Sequence, residues 1–168
     1  APWVPVRSFD VQALLDDTKL KKGQTYLELG CGDGRLIKAA AKRGATAIGY
    51  ELNTLLWLIA WTRCATTKGA HVLFGDLWRV DLSKADVVMA FLVPRTMPKL
   101  AKKAAKELKP SSILVSYIFE IVGKKPSFID SSSWGSQYPE ALKLDGIYLI
   151  AATWRVIAME LSATSMAK

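Results

Sequence analysis

The sequence predicts an α/β fold: a mostly parallel sheet of seven strands, helices on both faces, and an antiparallel hairpin at the C-terminal end. Three observations predict it. An apolar run ending at Leu29 enters a turn with glycines at alternate positions (Gly30, Gly32, Gly34), and an Ala/Lys-rich helical pattern follows as far as Arg43-Gly44. Strand, glycine turn, helix is the unit of a wound parallel sheet, and its glycines let a ligand lie against bare backbone at a helix N-terminus. Further short apolar runs then alternate with helical patterns, which is the order of crossover-connected parallel strands. Finally, Asp145-Gly146 separates two apolar stretches, a two-residue hairpin signal. With no repeat and no internal boundary, residues 1–168 read as a single domain.

In chain order, residues 1–20 form an N-terminal arm and a short helix. Ala1 to Asp10 carry two prolines and two aromatics and read as extended. A helix over Phe9–Asp17 follows, with Val11, Leu14 and Leu15 apolar. The first strand is expected at Thr25–Leu29 and the first crossover helix at Gly34–Arg43, with Leu36, Ile37, Ala40 and Ala41 inward. The second strand, Ala45–Tyr50, ends on Glu51-Leu52-Asn53. The helix after it, Leu55–Cys64, is unusually apolar, with Trp57 and Trp61 four apart as core or interface residues. Val72–Phe74 is the third strand, and Asp86–Val93 the fourth, a continuous apolar run of the kind buried on both faces. Pro98–Lys109 is a helix with Leu100, Ala101, Ala104, Ala105 and Leu108 inward; its stripe of five lysines reads first as solvated surface. Ile113–Phe119 is the fifth strand, 140–144 and 147–154 flank the hairpin turn, and the structure of the 155–168 tail is left open.

The composition narrows the chemistry. There are two cysteines, Cys31 and Cys64, in no metal-type cluster, and one histidine, so a multi-histidine metal site is excluded and a catalytic histidine triad disfavoured. No metal is expected. Free cysteines without a disulfide framework fit a reducing compartment. Lysine and arginine total 23 against 15 acids, a net charge of +8 that favours acidic partners or serves solubility. No apolar run reaches the 18 residues of a clear transmembrane helix. The chain begins at Ala1 without methionine, so targeting is left open.

The glycine spacing says which ligand. A dinucleotide fingerprint reads G-x-G-x-x-G. Here the third glycine comes one residue early, and the acid Glu28 sits two residues before the first. That form resembles motif I of the class I S-adenosylmethionine (SAM) methyltransferases and suits a ligand with a cationic sulfonium and an amino-acid tail. Glu51, 17 residues past Gly34, is placed to take both ribose hydroxyls. At the third strand's end Asp76 can accept from an adenine amine, with Leu77 and Trp78 walling the ring. The fourth strand exits through Phe91-Leu92-Val93-Pro94, where an Asn or Asp that would hold a flipped base is lacking. Base methylation is therefore disfavoured.

Taken together and in order, Pro2-Trp3-Val4-Pro5, Glu28–Arg35, Gly49-Tyr50-Glu51-Leu52-Asn53, Asp76-Leu77-Trp78 and Phe91–Pro94 resemble the small seven-β-strand protein-lysine methyltransferases. Mitochondrial members modify the ATP synthase c-subunit and the adenine nucleotide translocase; archaeal relatives act on many proteins. The resemblance covers about residues 2–120. It implies a Rossmann-like class I fold and transfer of methyl groups from SAM to protein lysine, leaving S-adenosyl-L-homocysteine. It further implies that Glu28, Gly30, Cys31, Gly32 and Gly34 line the methionine end, through backbone at Cys31. Glu51, Leu52 and Asn53 would hold the ribose side, and Asp76, Leu77 and Trp78 would frame adenine. Trp3, Val4 and Pro5 would close over cofactor and lysine, with Phe91, Val93 and Pro94 completing the lysine channel and Phe91 also touching the cofactor. No residue is assigned as a base. The implied partner is a protein, membrane-embedded in the mitochondrial case, and the implied state a monomer. The compartment would be cytoplasmic in a prokaryote, or mitochondrial and membrane-associated in a eukaryote. Two rival functions remain: a nucleic-acid or small-molecule methyltransferase, kept in view by the charge, and a non-catalytic SAM-binding module on an anionic membrane surface, suggested by the apolar helix 55–64 and the segment 147–158.

Overall fold

The computed structural model describes residues 5–6 and 10–117, and the backbone of two later strands. Helix α1 (Asp10–Asp17) leads into β1 (Thr25–Leu29), α2 (Arg35–Lys42), β2 (Thr46–Glu51), α3 (Thr54–Cys64) and β3 (Ala70–Phe74). After these come β4 (Val87–Ala90), α4 (Met97–Glu107) and β5 (Ile113–Tyr117). The five strands pair in parallel in the order β3-β2-β1-β4-β5. Two further strands, β6 (Phe128–Ile129) and β7 (Val156–Glu160), add antiparallel pairings at the β5 edge. The predicted turn at Asp145-Gly146 and its flanks 140–144 and 147–154 lie outside the described residues, as do Trp3 and Val4.

Alternation along β1 sorts the two cores. Tyr26 joins Leu14, Leu15, Leu36, Ile37, Ala40 and Ala60 beneath α1, α2 and α3, whereas Leu27 and Leu29 join Leu82, Val88, Met97, Leu100 and Leu114 on the α4 side. All four residues of β4 are buried, as a central parallel strand requires. That strand is shorter than its apolar run. Phe91-Leu92-Val93 leave the ladder because Pro94 opens a 3-10 turn over Pro94–Thr96, closed by Thr96 N–H and Oγ1 donating to the Val93 carbonyl (2.9 and 2.7 Å). A second correction concerns α4, where Ala105 is exposed while Met97, Leu100 and Ala104 are buried. Of the lysine stripe, Lys103 pairs with Glu107 and Lys109 with Asp86 (2.7 Å each), and Lys99 sits 4.2 Å over the Trp78 ring.

The bottom of the sheet is clasped by Asp86. Its carboxylate accepts from Thr25 N–H at 2.7 Å and pairs with Lys109 at 2.7 Å, joining β1, the start of β4 and the turn that follows α4. At the top, β2 meets the glycine turn at Gly49. A Cβ added there would stand 2.7 Å from Cys31 Cβ and Sγ and 2.8 Å from Ile37 Cγ1. Overpacking of this kind costs about 1–3 kcal/mol. Gly49→Ala should therefore melt about 3–10 °C below the parent in a thermal scan; an unchanged midpoint would mean that the contact relaxes freely.

Candidate functional site

The site is built at the C-terminal ends of β1, β2 and β3, where open parallel sheets hold ligands. Gly30 and Cys31 both donate their N–H groups to the Tyr50 carbonyl, at 2.9 and 3.0 Å, which locks the loop to the end of β2. The loop then turns through left-handed backbone at Gly30, Gly32 and Gly34 (φ 81, 54 and 75°). Gly34 caps α2, and a Cβ there would lie 2.9 Å from Ala60 Cβ, so the glycine also lets α3 approach. Cys31 turns its side chain inward and packs under Gly49; burial pushes its thiol above the ordinary range, with the charges of Glu28 and Glu51 adding to the shift. Its contribution to the loop surface is therefore backbone.

Two carboxylates converge here with opposite environments. Glu51 holds three backbone donors: Oε2 accepts from Gly32 N–H (2.9 Å), and Oε1 from Leu52 N–H (2.9 Å) and Asn53 N–H (2.8 Å). It splints the glycine loop to the β2–α3 turn, and Asn53 in turn caps α3 by accepting from Leu55 and Leu56 N–H. Glu28, by contrast, is buried with Oε2 unpartnered among the described residues. Burial, then the charges of Asp33 and Glu51, hold its carboxyl well above the usual carboxylate range, with Arg35 opposing. A buried acceptor without a donor is costly and well suited to a cationic ligand group.

A third carboxylate, Asp33, is fully engaged. Arg35 grips it with Nε and Nη2 at 2.9 and 2.6 Å from Oδ1 and Oδ2, and Arg63 adds a contact at 3.1 Å. Burial alone would raise the Asp33 carboxyl, but bonding to Arg35 and the charges of Arg35 and Arg63 leave it below its ordinary value. The remaining Arg35 nitrogen, Nη1, donates to the Val6 carbonyl, fastening the N-terminal arm to the loop; Val6 is buried and Pro5 exposed. Sequence reasoning missed this role for Arg35. Its signal was an arginine opening the helix directly after the third glycine, which by itself reads only as a helix start.

Beyond Glu51 an open cleft of about 580 Å³ is lined by Tyr50, Leu52, Phe74, Gly75, Asp76 and Arg79, among others. Asp76 Oδ1 accepts from Trp78 N–H, which orients the carboxylate and leaves Oδ2 for a ligand amine. Leu77 and Trp78 do not line this cleft; they pack toward the α4-side core. At the β4 exit Phe91 stands edge-on to Tyr117, with ring centroids 4.8 Å apart, while Leu92 Cδ2 lies 3.9 Å from a Cβ built on Gly30. Val93 is half-buried and Pro94 exposed. The structure thus brings together Glu28, the glycine loop, Glu51 and the Phe91–Leu92 exit, with Asp76 across the cleft. Among the described residues no group of three metal-ligating side chains exists.

Residues 28–128 match the ANTKMT methyltransferase domain. The chain belongs to that family. Its relatives include the ATP synthase c-subunit lysine N-methyltransferase of Xenopus laevis, 35% identical over 133 residues that make up 76% of this chain and 58% of that protein. A protein-lysine N-methyltransferase of Saccharolobus islandicus is 36% identical, over 74% of this chain and 81% of that one. The chain spans about half the length of the vertebrate relatives it matches, from 58% of the Xenopus protein to 49% of the mouse one. A solved RNA methyltransferase from Salinibacter ruber, in complex with S-adenosyl-L-homocysteine, superposes with a TM-score of 0.72 at 26% identity, covering 95% of this chain and 97% of that one. The fold of this family member is the Rossmann-like class I methyltransferase fold with a parallel sheet.

Proposed function

We propose that this family member is a SAM-dependent methyltransferase acting on the side-chain amine of protein lysine. The observation that carries the reading is the identity of more than a third, over most of the chain, to the archaeal protein-lysine N-methyltransferase. The residues present fit the cofactor. The unpartnered Glu28 oxygen needs a cationic donor, which the ammonium of a methionyl tail supplies, and the backbone of Gly30–Gly34 leaves room for the tail. Glu51 accepts from the ribose with the lone-pair capacity its three backbone donors leave, Leu52 and Asn53 border it, and Asp76 accepts from the adenine amine. Bound SAM supplies a methyl group already activated by its sulfonium.

What remains for the protein is alignment for an in-line SN2 displacement. Phe91, Val93 and Pro94, with Trp3 and Pro5 of the arm, form the sleeve for the lysine stem. A lysine amine has a reference pKa of about 10.4 and must lose its proton before attack. An apolar sleeve beside a positive sulfonium lowers that pKa, so water takes the proton and no dedicated base is needed. Residues 91–96 contain no acid, in keeping with this. We further propose a single domain whose sheet is completed to seven strands by a C-terminal hairpin, and a monomer acting on a protein substrate. We place it in a reducing compartment, cytoplasmic in a prokaryote or mitochondrial in a eukaryote.

A second reading, methylation of RNA, is favoured by the near-complete structural coverage with the Salinibacter enzyme and by the +8 charge. Methyl transfer from labelled SAM into a proteome, with acid hydrolysis of the labelled protein, separates the two. Methyl-lysine is the expected product. Label confined to RNA would favour the second reading and overturn the first.

A further inference from the structure

Helix α3 is oriented against the usual rule. The core receives Ala60 and Cys64 in full and Trp57 in part, while Leu55, Leu58, Ile59 and Trp61 are exposed by 67, 47, 38 and 51%. Leu55, Leu58 and Ile59 follow the i, i+3, i+4 spacing of an apolar stripe, yet the stripe faces outward. Thr62 continues it, and its hydroxyl is satisfied inside the helix by the Leu58 and Ile59 carbonyls (3.0 and 2.9 Å), so the stripe presents no unmet donor. Exposed Leu52 and Phe74 (61 and 54%) extend it to the lip of the cofactor cleft. Contiguous exposed apolar surface of this kind marks an interaction site.

Charge selects the occupant. From Leu52 to Gly75 there is no acid, while Lys68 and Arg63, the latter also reaching Asp33, are exposed at the C-terminal end of the stripe. Trp61 flanks the stripe with an indole that suits a water–hydrocarbon boundary. A two-fold dimer through this face would cover the leucines but offer no acid on the patch to pair either cation. An anionic bilayer surface satisfies both halves, taking the leucines into the acyl boundary and the cations to the headgroups. Among the described residues no helix is long and apolar enough to cross a membrane, so the contact is interfacial. We propose that the outward face of α3 docks this domain on an anionic membrane surface, with the cofactor cleft at the membrane edge. The proposal stands apart from the methyl-transfer reading.

The test is flotation of the full chain with vesicles of phosphatidylcholine alone or with phosphatidylglycerol, using the wild type and an L55Q/L58Q/I59Q variant. None of the three residues contributes to the cofactor site, and all are exposed, so the variant's melting point serves as the folding control. The wild type is expected to float with the anionic vesicles, less so at high salt, and the variant to lose about tenfold or more of that binding. Wild-type protein left unbound on anionic vesicles would overturn the proposal. So would binding that survives the variant, or a wild-type dimer in sedimentation that the variant dissolves while vesicle binding is absent.

Discussion

Glu51→Ala should reduce SAM affinity by about a hundredfold or more, read by calorimetry at neutral pH. Two losses combine. The ribose hydroxyls lose a charged acceptor, and hydrogen bonds to charged groups contribute about 1.5–3 kcal/mol each. In addition, the N–H groups of Gly32, Leu52 and Asn53 lose the carboxylate that holds the glycine loop against the β2–α3 turn. The same substitution should therefore lower the melting point of the ligand-free protein, which a carboxylate dedicated to ribose alone would not do. Undiminished SAM binding would refute the ribose role, and an unchanged melting point would refute the splint.

Glu28→Gln should separate stability from binding: the variant melts several degrees higher without ligand and binds SAM more weakly. The reason is the raised carboxyl of a buried, unpartnered acid. A carboxyl whose folded pKa lies above its unfolded value makes the folded state bind protons more tightly, so stability falls as pH rises from about 4.5 through the folded pKa. At neutral pH the native fold bears that cost, and an amide removes it. Relief of about 1–3 kcal/mol corresponds to roughly 3–10 °C in a chain of this size. Binding a cationic tail has the opposite dependence, because it needs the carboxylate. Wild-type affinity should rise with pH across that window and the Gln variant should show no such slope. A variant that melts lower, or that keeps the slope, would remove Glu28 from this role. Functional sites that cost the fold stability are a common trade.

How much of this was legible in the residues depended on whether the signal was local. β1, the glycine turn and Glu51 at the end of β2 are short-range patterns, and they stand where the spacing predicts. The end of β4 was not legible, since Phe91–Val93 continue an apolar run and only pairing geometry shows where it leaves the ladder. Helix α3 was legible only as an alternative: its apolar composition fits a core or an interface helix, and nothing local says which of its stripes is left uncovered. The Val6–Arg35–Asp33–Arg63 cluster draws on positions far apart in the chain, so no short window of sequence contains it. Adjacency to Asp76 suggests Leu77 and Trp78 as walls for the adenine; that both also pack against the α4-side core is set by the 3-10 turn at 77–79 and is not visible in the spacing.

Cys31 lies beneath Gly49 and Cys64 beneath the loop, where its Sγ contacts the Gly34 carbonyl at 3.5 Å. Burial raises both thiols above their ordinary values. Oxidants and alkylating agents attack the thiolate, and a buried thiol with a raised pKa offers almost none. A cysteine inside a cofactor loop would ordinarily make an enzyme hostage to peroxide. Here burial under Gly49 keeps the thiol from reagents, so peroxide or iodoacetamide should leave Cys31 unmodified in the folded protein and label it once the protein is unfolded.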